Sequence, residues 1–317
     1  MKAVALKRFG GPSLLELTDL PTPTAQQGEV LIELEYTSVN PVDWKICEGL
    51  LKNRLPHAFP LIPGWDAAGK IKSVGPSAKR FRPGDEVFAY CRKPVVQWGT
   101  YAEFVAIDET AVAPKPHSIG FREAASFPLA ALTAWQALFD VARLKAGETI
   151  LIHAGAGAVG GFAIQFARVI GAEKVITTAR QEYHSYVIEL GADHAVDYSQ
   201  EQFVSAVNFQ NPKGVDVVFD CVGGDTFKMS HDVLKPGGRL VSILEQPVPD
   251  LEMKHQIKTS YLFVRPNGEQ LREIAELTDQ QKVSPPALEE MLLEKAAEAL
   301  ERVRQRRRRG KMVLKVK

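Results

Sequence analysis

Through residues 1–120, apolar and polar positions come in short β-prone runs and no helical period lasts. The runs Glu29–Ser38, Ala67–Val74, Glu86–Tyr90 and Tyr101–Ile107 are predicted strands. They are cut by turns bearing glycine and proline, such as Gly64-Trp-Asp-Ala-Ala-Gly69 and Arg82-Pro-Gly-Asp-Glu86. From Phe121 the pattern changes. Phe121–Leu138 is apolar and alanine-rich, with Ala125, Leu129, Leu132 and Trp135 at helical offsets, and Pro128 divides it into two predicted helices. Predicted strands at Thr149–His153, Lys174–Thr178, Ala195-Val196, Val215–Cys221, Arg239–Leu244 and Ser260–Val264 then alternate with helical segments. Between the first two, Val159, Phe162, Ala163, Phe166, Ala167 and Ile170 form one apolar stripe. Such alternation predicts a parallel sheet covered on both faces. Ala287–Arg304 reads as a helix and Met312–Leu314 as a last strand.

Composition adds bounds. The 317 residues suit two domains, and 45% hydrophobic with 24% charged residues is ordinary for a globular chain. Lys+Arg 39 against Asp+Glu 38 gives a net charge of +1, which supplies no global field to gather nucleic acid or anionic membrane. Three dispersed cysteines, Cys47, Cys91 and Cys221, form no CxxC pair and exclude both a disulfide framework and a four-cysteine zinc site. With no apolar leader in MKAVALKRFGG, the expected setting is reduced and cytoplasmic. The seven histidines show no ligand spacing, and no metal site is expected.

The sharpest chemistry lies in Gly155-Ala-Gly157-Ala-Val-Gly160, placed between a predicted strand and a predicted helix, the context in which GxGxxG holds a dinucleotide. Gly155 permits the tight turn, Gly157 lets the backbone approach a pyrophosphate, and Gly160 lets the helix pack on the strand. The helix start at Ala158 and Val159 offers free N–H groups to the anion. A P-loop is excluded, because Gly161 is followed by Phe162 instead of Lys and Ser or Thr. At the end of the next strand, an NAD site places an acid to hold the ribose hydroxyls. Here stands Thr177-Thr178-Ala179-Arg180, whose Thr178 and Arg180 suit a 2′-phosphate, so NADP(H) is the expected cofactor.

Further motifs run from end to end: Ser38-Val-Asn-Pro-Val-Asp-Trp-Lys45, Pro63-Gly-Trp-Asp-Ala-Ala-Gly69, Arg82-Pro-Gly-Asp-Glu-Val87, Leu132-Thr-Ala-Trp135, Gly191-Ala-Asp193, Asp220-Cys-Val-Gly-Gly224 and Gly310-Lys-Met-Val-Leu314. In these the chain resembles the zinc-independent quinone oxidoreductases and alkenal (enone) reductases of the medium-chain dehydrogenase/reductase superfamily, zeta-crystallin among them. The resemblance implies an α/β fold in which a GroES-like β-barrel catalytic domain, residues 1–121 and 264–317, flanks a Rossmann doubly wound parallel-sheet cofactor domain, residues 122–263. Where zinc-dependent members carry Cys, His and Cys, this chain has Asn40, Trp65 and Leu129, which are no zinc ligands. That leaves hydride transfer to an acceptor already electrophilic, a quinone or an α,β-unsaturated carbonyl. By resemblance, Lys45 would stabilise the developing oxyanion and Asn40 would orient nicotinamide or substrate. Thr133, the backbone of Val222 and Gly223, and Phe263 with Val264 would line the nicotinamide, and Tyr198 would flank the 2′-phosphate. Tyr90 is either a proton donor from the barrel side or an aromatic wall, solvent then protonating the enolate. A homodimer paired through the edge strand Ser260–Val264 is expected, with a small-molecule substrate and neither membrane nor nucleic acid as partner.

Two other readings share the loop. One is an acyl-thioester enoyl reductase, and the other is a low-turnover NADPH-binding protein of structural or RNA-binding type. The basic run Arg302–Lys311 invites the last. It also suits the C-terminal end of the helix before it, where cations complement the dipole.

Overall fold

A computed structural model describes residues 1–305 and 310–317. The chain separates into two compact units, Met1–Leu132 with Arg265–Lys317, and Thr133–Val264. The first boundary falls inside the helix Pro128–Trp135.

The first unit is built on the strand Glu29–Val39, which pairs antiparallel with Asp66–Val74, Phe104–Asp108 and Lys311–Lys315. Glu86–Tyr90 and Val112–Pro114 extend the same seven-stranded sheet. Alternate residues Val30, Ile32 and Leu34 point into a core with Ala67, Ile71, Val87 and Val105. The short helix Pro41–Cys47 leaves the end of the long strand directly; Pro41 begins it, and Asp43 reaches back to accept the Asn40 N–H at 2.8 Å.

The C-terminal part departs from its sequence pattern. Leu288–Leu292, expected as helix, is a strand lying parallel to Lys311–Lys315, and the helix is shortened to Ala296–Arg304. Helix formers such as Glu289 and Glu290 yield here to the open edge of Lys311–Lys315, and Pro285-Pro286 stops a helix from starting earlier. Of the basic run, Arg302 pairs with Glu298 and Arg304 with Glu48, while Arg306–Arg309 lie outside the described residues.

The second unit carries six parallel strands in the order His194–Val196, Lys174–Thr178, Thr149–Ile152, Val215–Asp220, Leu234–Ser242, Lys258–Tyr261. The chain direction across the sheet reverses between Thr149–Ile152 and Val215–Asp220, which makes the carboxyl ends of those strands the switch point where such sheets bind ligands. Helix Ala158–Ile170 buries Phe162, Ala163, Phe166 and Ala167, with Phe166 edge-on to Trp135 at 5.3 Å, and Gly171 (φ 87°) closes it in the left-handed region. The apolar run after Pro128 ends in a π-helical stretch, Gln136–Ala142, instead of an α-helix to Leu138. The last strand is Lys258–Tyr261, earlier than the Ser260–Val264 its β-propensity indicated. Among the described residues no helix is long and apolar enough to cross a membrane.

Candidate active site

The glycine loop sits at the switch point, and each glycine has a separate steric cause. A Cβ on Gly155 would lie 2.1 Å from Thr177 Oγ1, and one on Gly160 would lie 2.3 Å from the carbonyl oxygen of Ala154. Neither space exists, so both residues serve the packing of turn, strand and helix. Gly157 differs. A Cβ there would press only on the Ala154 oxygen, at 3.3 Å, with no other atom within 4 Å among the described residues, so the glycine leaves the approach to the helix start at Ala158 and Val159 less obstructed than at Gly155 or Gly160. A diphosphate fits there, against the free N–H groups of the first turn. These residues would hold a dinucleotide, whose nicotinamide supplies the hydride.

Arg180 and Tyr198, eighteen residues apart in sequence, come together beyond the loop. Arg180 Nε donates to Tyr198 Oη at 3.3 Å; the guanidinium is exposed and the phenol half-exposed. The Asp197 carboxylate beside them is held by the Gln181 and Ser199 N–H groups and the Ser199 hydroxyl, which draw it below the usual carboxylate range. Thr178 does not join this pair. It is 3% exposed, and its hydroxyl accepts the Ala154 N–H at 3.1 Å on the underside of the loop. Strand alternation explains this: Thr177 and Thr178 point to opposite faces, both inward, and Arg180 is the first side chain clear of the sheet.

At the end of Val215–Asp220 the turn carrying Val222 and Gly223 is set by Asp220. Its Oδ1 accepts both N–H groups at 2.9 Å, and its Oδ2 accepts the Ser242 hydroxyl at 2.7 Å. Asp220 is fully buried, a supporting residue overlooked in sequence although Asp220-Cys-Val-Gly-Gly224 contains it. Thr133 and Val264 are buried and Phe263 is half-buried.

In the first unit a buried polar cluster surrounds Asp66. Its Oδ2 accepts Ser38 Oγ at 2.5 Å and Asn40 Nδ2 at 2.7 Å, and its Oδ1 accepts the Leu129 N–H at 2.6 Å. The ammonium of Lys311, 4% exposed, donates to Asn40 Oδ1 and lies 3.4 Å from Asp66 Oδ2. Asp43 is the second carboxylate of this buried region. Tyr101 donates to it at 3.0 Å, and burial, reinforced by the Asp66 charge, pushes it up to about 7. Asn40 is thus committed on both sides of its amide, with one Nδ2 hydrogen left. Lys311 was legible only as the end of the basic run Arg302–Lys311, just before the predicted strand Met312–Leu314; nothing in its local sequence signals burial.

Lys45 stands apart from the cluster. Two residues after Asp43 it falls on the other side of the helix, half-buried, with its ammonium 5.7 Å from the Trp44 ring centroid. Tyr90 is fully buried, edge-on to Trp65 at 6.0 Å, and burial raises its hydroxyl far above the ordinary phenol value. A proton held that tightly suits a wall residue better than a donor.

Residues 26–117 match the family model described as alcohol dehydrogenase GroES-like domain, and residues 190–314 the one described as zinc-binding dehydrogenase. The chain is 34% identical over 318 residues to a protein named probable zinc-binding oxidoreductase, mitochondrial, of Arthroderma benhamiae, across 95% of this chain and 92% of that one. It is 35% identical over 292 residues to the NADPH-dependent alkenal/one oxidoreductase, chloroplastic, of Arabidopsis thaliana, across 90% and 71%. The quinone oxidoreductase of Coxiella burnetii superposes with a TM-score of 0.89 at 34% identity, over 100% of this chain and 99% of that one. Zinc does not fit the residues present. Asn40 and Leu129 both meet Asp66, the neighbour of Trp65, but amide, indole and alkyl groups do not replace thiolate and imidazole, and a lysine ammonium already lies against the Asp66 carboxylate. Among the described residues no three His, Cys, Asp or Glu side chains gather as a metal site would need.

Removing the ammonium would leave Asp66 buried without its counter-charge. Lys311→Met is expected to cost about 3–5 kcal/mol of stability in denaturant unfolding, and the double variant Lys311→Met/Asp66→Asn to recover at least half of it. Equal stabilities of wild type and Lys311→Met would show that the pair is not the electrostatic centre of the cluster.

Proposed function

The chain belongs to the medium-chain dehydrogenase/reductase superfamily, as an oxidoreductase of the quinone and alkenal reductase type, and we propose that it reduces quinones or activated α,β-unsaturated carbonyls with NADPH by direct hydride transfer. The observation that carries the cofactor choice is the Arg180–Tyr198 pair beyond the glycine loop, with no acid at the end of Lys174–Thr178. A 2′-phosphate gains a guanidinium and a phenolic donor from it, whereas a bare ribose gains little. Thr133, the Val222–Gly223 backbone, Phe263 and Val264 are proposed to line the nicotinamide.

A metal-free site offers no Lewis acid to polarise a simple ketone, so the acceptor has to be electrophilic by itself. Hydride then adds to a quinone or to the β-carbon of an enone, and negative charge builds on the carbonyl oxygen. Lys45 is proposed to stabilise that oxyanion, with the remaining Asn40 amide hydrogen orienting the ligand and solvent supplying the proton. Among the described residues the strand Lys258–Tyr261 pairs on one side only, which supports a homodimer joined along this edge; a monomeric mass in light scattering would contradict that. Burial of Cys47 and Cys91 as free thiols supports a reducing compartment such as the cytoplasm.

One panel of measurements tests the reading. Wild type should bind NADPH at least tenfold tighter than NADH, and Arg180→Ala should remove most of that margin while leaving NADH unchanged. NADPH oxidation should proceed with a quinone or a short enone and be slower with an enoyl-thioester. Lys45→Met should lower kcat/KM for the enone by roughly 10²-fold. Equal affinity for both dinucleotides would overturn the cofactor choice; an unchanged kcat/KM would remove Lys45 from the mechanism.

A further inference from the structure

Beneath the glycine loop runs a chain of hydrogen bonds whose direction is fixed atom by atom. Ser230 Oγ lies 2.6 Å from the carbonyl oxygen of Thr226, which can only accept, so Ser230 donates its proton there. Ser230 must then accept from His153 Nε2, at 2.9 Å. The imidazole therefore carries its proton on Nε2 and presents a lone pair at Nδ1. Nδ1 lies 3.2 Å from Thr178 Oγ1 and takes the Thr178 proton, and the same oxygen accepts the Ala154 N–H at 3.1 Å. His153, Thr178 and Ser230 are all at least 97% buried, and burial, outweighing the Asp220 charge, pulls His153 down to about 4, so the ring is neutral as the chain requires.

Ala154, at the loop end of this chain, is the residue that needs holding. It is not a glycine, yet its φ is 60°, in the left-handed region. Its carbonyl accepts the Gly157 N–H at 3.0 Å, and it is the atom that forbids a side chain at Gly160. Thr178 holds the neighbouring peptide as well, because the Gly155 N–H donates to the Thr178 carbonyl at 3.0 Å. With its single proton spent on His153, the Thr178 hydroxyl has none to give to a phosphate.

Building on the reading of the loop as a dinucleotide cradle, we propose that Thr178 and His153 are positioning residues that fix the Ala154 peptide and so set the affinity for the dinucleotide as a whole, while the choice between NADPH and NADH falls to Arg180 and Tyr198. Affinity and discrimination are then separate properties of adjacent residues. The first is set from below the loop by a group that touches no ligand, the second from beyond it by groups that do.

Titration of NADPH and NADH by fluorescence, on wild type, Thr178→Val, Thr178→Ser and Arg180→Ala, tests this. Thr178→Val keeps the branched shape and loses the hydroxyl; it should weaken both dinucleotides about tenfold and leave their Kd ratio unchanged. Thr178→Ser should return both to within about twofold of wild type, and Arg180→Ala should move NADPH alone. Independently of any variant, long-range ¹H–¹⁵N spectra of wild type should show His153 as the neutral Nε2–H tautomer at pH 7. Weakening of NADPH alone by Thr178→Val would place Thr178 at the 2′-phosphate and overturn the inference, as would unchanged Kd values or an Nδ1–H tautomer. Failure of wild type to bind either dinucleotide would overturn the cofactor reading itself; binding by wild type that Thr178→Val leaves intact would overturn this inference alone.

Discussion

A diphosphate asks the backbone for N–H groups and for the absence of side chains in front of them, and the second unit is arranged around that demand. The chain leaving Thr149–Ile152 has to turn within a few residues, start a helix, and leave room before its first turn. Gly155 and Gly160 satisfy the turn, where a Cβ would strike Thr177 or Ala154; Gly157 satisfies the approach. The left-handed Ala154 follows from the same turn, and so do the polar groups beneath it, since a strained residue persists only where its surroundings over-determine it. The buried hydrogen-bond chain through Thr178, His153 and Ser230 is that over-determination. Each of its members has one place for its proton, which is what makes a polar network inside a sheet tolerable.

The first unit meets a different constraint at its centre. Asp66 is a fully buried carboxylate, and a buried carboxylate needs a counter-charge and donors for its oxygens. Lys311 supplies the charge from the last strand, and Ser38, Asn40 and the Leu129 N–H supply the donors from three other segments. One ion pair thereby ties together the long strand, the start of the short helix, the glycine-rich turn and the closing strand. Its chemical consequence is equally direct. Where the resemblance puts thiolates and an imidazole in zinc-dependent members, the chain has Asn40, Trp65 and Leu129, which bind no zinc, and this supports the proposed transfer to an acceptor that needs no activation by metal.

What could be read in advance followed from local chemistry. The glycine spacing, set between a strand and an apolar stripe, marked the candidate phosphate loop, and the fold places it between Thr149–Ile152 and the helix Ala158–Ile170; no acid follows Lys174–Thr178, and the distant Arg180 and Tyr198 come together as one exposed pair. What could not be read depended on which way a side chain points at the end of a strand, or on a partner far along the chain. Thr178 looked like a phosphate ligand because threonine at a strand end has a hydroxyl to offer, and only the fold shows that its proton goes to His153. Lys311 read only as the last residue of the basic run Arg302–Lys311, and its burial depends on Asp66, 245 positions earlier in the chain. Leu288–Leu292 looked helical because its residues favour helix, and the open edge of Lys311–Lys315 decided otherwise. Asp220 was visible within a motif, but its task of holding two N–H groups depends on a turn geometry that periodicity does not encode.

The central claim is direct, metal-independent hydride transfer from a nicotinamide held on this loop to an electrophilic carbon. Its most direct measurement uses NADPH deuterated at C4 on each face in turn, with a short enone, in chelator-treated buffer, and locates the label in the product by mass spectrometry and NMR. One of the two labelled forms should deliver deuterium to the β-carbon, at a rate the chelator does not change. Product free of deuterium from both forms, or activity that disappears with chelation and returns with zinc, would contradict it.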